Sequence, residues 1–180
     1  MVTTNDEELG ERVRILRTHG AQAKYLHSEV GLNSRLDALQ AGILLAKLPH
    51  LDEWNSKRAE NAAFYDSAFK ESAVTAPYRA EYSTHTYNQY TIRISNRDDL
   101  KQHLADAGIV NAIYYPLSLH MQKCFANLGY KEGDMPESEK AARETLAIPI
   151  YPELTKDMLQ YVADTILASS PLRGEDRGEG

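Results

Sequence analysis

The chain has 180 residues, of which 42% are hydrophobic and 26% charged, and this composition is typical of a folded domain. Its net charge of -6 and isoelectric point near 5.5, with lysines and arginines scattered along the sequence, argue against nucleic acid as a partner. No stretch approaches the roughly 20 apolar residues that span a bilayer, and no secretory signal begins the chain, so we expect a cytoplasmic protein without a membrane partner. The single cysteine, Cys124, cannot form an internal disulfide, and no metal-binding motif is present.

Three helices are predicted in the first 70 residues. Apolar residues share one helical face over about 6–18, where a capping box starting at Thr4 and a left-handed stop at Gly20 would mark the ends. Two further runs of helical spacing meet near Pro49, so we expect two helices joined there.

An alternating pattern marks the start of an α/β region. In the sequence YNQYTIRIS, which begins at Tyr87, the even-numbered residues from Asn88 to Ile94 would share one face and the residues between them the other. This alternation is typical of a strand with two different faces. Asn96 is predicted to cap the following helix, with Leu100 and Leu104 directed inward. The sequence IVNAIYY, which ends at Pro116, is predicted to form a second strand.

Two more helices and a tail complete the chain. An amphipathic run over 137–146 follows Pro136, which suits the first position of a helix, and Thr155 would cap the last helix. The tail, 169–180, is rich in glycine and charge and is predicted to be disordered.

One polar cluster, in the sequence GLNSRLDALQ, could carry chemistry. Asn33, Arg35 and Gln40 follow Gly31 at a predicted helix start, where the helix dipole would favour an anion. The simpler interpretation is that Asn33 caps the helix and Arg35 is a solvated charge. The common catalytic motifs are absent from the sequence, so the residues alone assign no reaction.

The order of several segments resembles one family throughout. These are RVRILRTHG, GLNSRLDALQAGILLAKLPHLDEWNSKR, YNQYTIRISNRDDL, IYYPLSLHMQ and PESEKAARETLAIPIYPELT, and they resemble the DegT/StrS sugar aminotransferases that use pyridoxal phosphate. The resemblance covers Met1 to about Leu167. It implies an α/β fold: the carboxy-terminal small domain (71–168) and adjoining helices (1–70) of a fold-type I pyridoxal-phosphate-dependent transferase. It further implies a homodimer that moves an amino group from glutamate to a keto-sugar nucleotide.

The resemblance also implies roles for particular residues. Asn33 matches the asparagine of a GxNxR motif that reaches across the dimer to the cofactor phosphate, and Arg35 is expected to bind an anionic group of the substrate. His120, in SLHMQ, matches a histidine at the sugar-nucleotide entrance, although a structural histidine explains it equally well. Tyr114 and Tyr115 are expected in the core rather than in the site.

The resemblance places the lysine that holds the cofactor before Met1, so we expect no catalytic residue in this chain and no activity from it alone. Two alternatives remain open at this point. One is a sugar dehydratase of the same family, in which histidine replaces that lysine. The other is a non-catalytic assembly module, because the apolar helix faces around 36–48 would need a partner.

Overall fold

The computed structural model describes residues 2–169, and the chain divides into two compact units, Met1–His50 and Leu51–Gly180. The boundary therefore follows His50, whereas the sequence-based division was at residue 70. Ser169 ends the last helix, and the remainder of the predicted disordered tail lies outside the described residues. No helix among residues 2–169 is both long and apolar enough to cross a membrane.

The first unit contains two helices and a small antiparallel hairpin. Its elements are α1 (Glu7–Leu16), β1 (Ala21–Ala23), β2 (Leu26–His27), α2 (Ala38–Lys47) and a 3-10 turn (Leu48–His50). The hairpin was not predicted. The cap of α1 also differs from the prediction, because the side chain of Asp6 accepts the N–H of Leu9 at 3.0 Å, while Thr4 accepts the N–H of Asp6.

The second unit is a layer of helices packed on a two-stranded sheet. Its elements are α3 (Leu51–Phe69), β3 (Tyr90–Arg93), α4 (Arg97–Asp106), 3-10 turns (Leu119–Met121 and Lys123–Leu128), α5 (Pro136–Glu144), β4 (Thr145–Ile148) and α6 (Lys156–Ser169). The strands are antiparallel, and Ile92 lies opposite Leu146. The predicted cap at Thr155 is confirmed, since its hydroxyl accepts the N–H of Met158.

One predicted strand is wrong. In the segment IVNAIYY only Ala112 makes an isolated bridge, to Ala147, and Tyr114 and Tyr115 are 46% and 74% exposed rather than in the core. The strand that pairs with β3 is β4, whose first two residues fall within the predicted helical run 137–146. Every residue of β4 is buried, and such a strand shows no alternation by which its sequence could be told from a helix.

The core of the second unit is aromatic and aliphatic. The largest fully buried side chains come from both strands and from α3, α4 and α6: Tyr65, Phe69, Tyr90, Ile92, Leu100, Leu104, Leu146 and Ile166. The inward direction predicted for Leu100 and Leu104 is therefore confirmed. Asn96 occupies the cap position of α4, but its side chain makes no capping hydrogen bond.

Helix α3 also holds the chain that follows β4. Three of its side chains donate hydrogen bonds to the consecutive backbone carbonyls of residues 149–151: Tyr65 at 3.2 Å, Arg58 at 3.1 Å and Asn61 at 2.8 Å. Burial raises the pKa of the Tyr65 hydroxyl, so it remains a donor at any physiological pH. The turn after β4 is thus fixed by hydrogen bonds from partly or fully buried side chains rather than by regular structure.

Candidate functional site

Asn33 lies on a short segment that is bound to the end of α1. Three backbone hydrogen bonds of 2.8 to 3.0 Å join residues 32 and 34 to residues 16–19, and Asn33 faces Thr18 in an isolated antiparallel bridge. These contacts fix the backbone on both sides of Asn33. Its side chain is therefore presented from a rigid position although it lies at the surface.

Two glycines allow this segment to approach α1. A Cβ atom at Gly31 would lie 2.2 Å from the backbone N of Gly20 and 2.5 Å from the carbonyl oxygen of Leu16, distances that no side chain tolerates. Gly20 has a φ of 70°, and a Cβ there would meet the carbonyl oxygen of Glu29 at 1.8 Å. The glycine that begins GLNSR is thus required by backbone contact and not by helix capping.

The start of α2 differs from the expectation for this segment. Asp37 is the N-cap, and its side chain accepts the N–H of Gln40 at 2.9 Å. The interpretation of Asn33 as the helix cap is therefore wrong. Asn33 and Arg35 both precede the helix, so an anion there would be bound by side chains rather than by the first turn.

A hydrogen bond joins the two predicted site residues of this segment. The Nε–H of Arg35 donates to Oδ1 of Asn33 at 3.0 Å, and both residues are exposed. Because the Nε of arginine can only donate, the amide oxygen of Asn33 must face Arg35. The amide NH2 group of Asn33 then remains as a pair of donors beside a permanent positive charge, which suits an anionic group.

His120 lies in the second unit and is largely enclosed. Its side chain is only 7% exposed, its Nε2 is 3.0 Å from Oε1 of Glu139, and its ring meets the edge of Tyr130 at a centroid distance of 6.3 Å. This geometry favours the structural interpretation of His120. Its predicted contact with the substrate stays a prediction.

The partner of His120 was not found from the sequence. Glu139, in the first turn of α5, also accepts the N–H of Gly133 through both carboxylate oxygens, at 2.9 and 3.1 Å, and the N–H of Met135 at 3.3 Å. Burial alone would raise the pKa of Glu139, but the hydrogen bonds from Gly133, His120 and Met135 together hold that pKa below its ordinary value. The only signal in the sequence was that Glu139 lies in the first turn of a helix predicted to begin at Pro136.

The pair of His120 and Glu139 joins two walls of a cleft. The cleft has a volume of about 430 Å³ and lies between the segment 114–122 and helix α5. Tyr114 and Tyr115 line one side of it, and none of the described residues that line it is charged. Among residues 2–169, no cluster of three or more histidine, cysteine or acidic side chains could hold a metal ion.

The same architecture occurs in solved aminotransferase structures. One is DesV of Streptomyces venezuelae in complex with a ketimine intermediate, with a TM-score of 0.84 and 36% identity over 92% of this chain and 45% of that one. Another is a DegT DnrJ EryC1 StrS aminotransferase from Brucella abortus, with a TM-score of 0.80 and 33% identity over 91% and 44%. The predicted fold class is thereby confirmed.

The chain belongs to the DegT/DnrJ/EryC1/StrS aminotransferase family, whose model matches residues 1–167. It is 47% identical to a pleiotropic regulatory protein of Geobacillus stearothermophilus, over 92% of this chain and 45% of that protein. It is 37% identical to the dTDP-3-amino-3,4,6-trideoxy-alpha-D-glucose transaminase of Streptomyces venezuelae, over 92% and 44%. The chain thus spans somewhat less than half the length of these relatives.

The contact at Gly31 can be tested by a matched pair of glycine substitutions. We expect Gly31→Ala to cost more than about 1 kcal/mol, because the backbone must move to admit a methyl group. Gly42→Ala, in the interior of α2 with open space around it, should stabilise by up to about 1 kcal/mol. The amide of Leu32, which donates to the carbonyl of Leu16, should exchange its hydrogen faster in Gly31→Ala than in Gly42→Ala. Equal exchange rates in the two variants would contradict the contact.

The role of Glu139 can be tested by the pH dependence of stability. Because its pKa is lower in the folded state, its carboxylate stabilises the fold above the ordinary pKa of 4.5, and this contribution disappears as the pH falls through the folded pKa. We expect Glu139→Gln to be less stable than wild type at pH 7, with the difference shrinking towards pH 3. The exposed Glu137, in the same turn, provides the control Glu137→Gln. A constant difference in urea unfolding across this pH range would refute the role.

Proposed function

We propose that this chain forms the carboxy-terminal part of a sugar-nucleotide aminotransferase, in which Asn33 donates to the phosphate of pyridoxal phosphate bound by the neighbouring subunit of a homodimer. The observation that carries the proposal is the donor pair of Asn33 and Arg35, held on a rigid segment and exposed. Relatives named as sugar-nucleotide transaminases support the substrate class. The proposed setting is the cytoplasm.

The residues present fit the phosphate end of this cofactor. A phosphate needs several N–H donors, and the amide of Asn33 supplies two beside the charge of Arg35. The two glycine contacts fix the backbone from which the amide is presented, so little conformational entropy is lost on binding. When bound, the cofactor would supply an electron sink for transfer of an amino group from glutamate to a keto-sugar nucleotide.

Arg35 and His120 are the proposed substrate contacts. The guanidinium of Arg35 has N–H groups besides Nε that could pair with an anionic group of the sugar nucleotide or of glutamate. For His120, placement against Glu139 offers a second role, in which the histidine shapes the cleft beside Tyr114 and Tyr115 without touching the substrate. The sugar dehydratase remains the alternative chemistry, because the residue that would distinguish the two reactions is not part of this sequence.

The phosphate role of Asn33 predicts weaker cofactor binding when its amide is removed. In a full-length protein that contains this chain, Asn33→Ala should raise the dissociation constant of pyridoxal phosphate by roughly 10- to 100-fold, the cost of one lost hydrogen bond to a charged group. The constant can be measured by absorbance titration. The exposed Asn127, in a 3-10 turn of the second unit, gives the control Asn127→Ala. Equal constants for wild type and Asn33→Ala would remove the assignment.

A second candidate function is a non-catalytic assembly module, and the surface of α2 favours it. This helix buries none of its residues within the chain, and its apolar side chains are between 54% and 77% exposed: Leu39, Ile43, Leu44 and Leu45. An apolar face of this kind is typical of a surface that binds another protein. The same face would serve the homodimer of the first proposal.

Both candidates predict that the 180-residue chain alone self-associates through α2 and shows neither cofactor absorbance nor amino transfer. They differ in the full-length protein, where only the aminotransferase should bind the cofactor and transfer an amino group. Sedimentation velocity would then show Leu39→Glu shifting the chain towards monomer, while Leu119→Glu, on an exposed residue of the second unit, would not. Cofactor absorbance from this chain alone would contradict the proposal that a lysine outside it is needed.

A further inference from the structure

We infer that Arg35 is a positioning residue whose Nε–H turns the side-chain amide of Asn33 so that its NH2 group, and not its oxygen, faces the bound anion. The inference rests on the proposed function, because it explains how Asn33 is made to donate. It goes beyond the charge of Arg35, which by itself would only attract an anion. The contact that carries it is the 3.0 Å hydrogen bond from Nε to Oδ1.

An asparagine at a surface can present either end of its amide. The two orientations differ by a rotation of half a turn about the last side-chain bond, and water satisfies both, so an unassisted amide would populate both. Only the orientation with NH2 outward can donate to an anion, since the amide oxygen would repel it. A neighbour that can only donate selects this orientation by occupying the oxygen.

The spacing of the two residues makes this contact possible. Asn33 is bridged to Thr18 as extended backbone, and on an extended segment residues two apart project to the same side. Arg35 therefore lies on the same side of the segment as Asn33, in agreement with the 3.0 Å hydrogen bond between them. Because backbone bonds fix residues 32 and 34, the amide of Asn33 has only its two side-chain rotations left to be set.

Lysine at position 35 separates positioning from charge. Its ammonium keeps the positive charge, but it has no planar secondary N–H where Arg35 has Nε. The ammonium is also a donor, but it lies one bond farther along the side chain than Nε, where lysine has a methylene. Arg35→Lys should therefore leave the attraction of an anion largely in place and weaken the hold on the amide of Asn33. If Arg35 acted only through its charge, this substitution would change little.

A double-mutant cycle on cofactor affinity in the full-length protein tests the positioning role of Arg35. Arg35→Lys should raise the dissociation constant of pyridoxal phosphate about 5- to 10-fold, the scale of one hydrogen bond. In the Asn33→Ala background the same substitution should have almost no further effect. An equal factor in both backgrounds would overturn the positioning role and leave the phosphate role of Asn33 standing. No effect of Asn33→Ala at all would instead contradict the proposed function.

A second readout uses the 180-residue chain and needs no cofactor. In nuclear magnetic resonance spectra, Arg35→Lys should move the chemical shifts of the Asn33 side-chain amide towards those of the exposed Asn127. It should also increase the mobility of the Asn33 side chain, measured by relaxation. Ser34→Ala is the matched control and should leave these signals in place. Unchanged Asn33 signals in Arg35→Lys would overturn the inference.

Discussion

The close approach of the Gly31 backbone to the end of α1 is the constraint on which the candidate site depends. No residue other than glycine leaves room for it, and Gly20 supplies the matching turn on the opposite side. Together they allow the backbone bonds that hold Asn33, and the hydrogen bond from Arg35 then sets its amide. In this way a surface asparagine becomes a directed pair of donors. A chain without these glycines would keep the same polar residues and lose their geometry.

The second unit uses its buried polar groups in a comparable way. Its two strands are short, and side chains hold the long connecting segments. Side chains of α3 donate hydrogen bonds to the carbonyls of residues 149–151. Glu139 accepts hydrogen bonds from three neighbours, among them His120. Each of these groups is satisfied, which is what makes their burial stable. The contact between His120 and Glu139 joins the two segments that line the cleft beside Tyr114 and Tyr115.

Much of this fold could be predicted from the sequence, and the failures have physical causes. The helices were found because their apolar residues recur at a clear period. The sequence does not reveal the strand Thr145–Ile148, because all of its residues are buried and it follows α5 without a break. The segment 109–115 is rich in residues that favour strands, but in the structure it makes only an isolated bridge. Asn33 and Arg35 were identified by resemblance to a family. Their hydrogen bond and the acceptor role of Glu139 depend on distances that one sequence does not contain.

The family and fold are shown by the match over residues 1–167, and the central claim that goes beyond them is the anion-facing amide of Asn33. A crystal structure of the full-length protein with pyridoxal phosphate would test it most directly. We expect Nδ2 of Asn33 within about 3 Å of a phosphate oxygen of the cofactor held by the other subunit, with Oδ1 still accepting from Arg35. An amide turned so that its oxygen faces the phosphate, or one that makes no contact with it, would contradict the account.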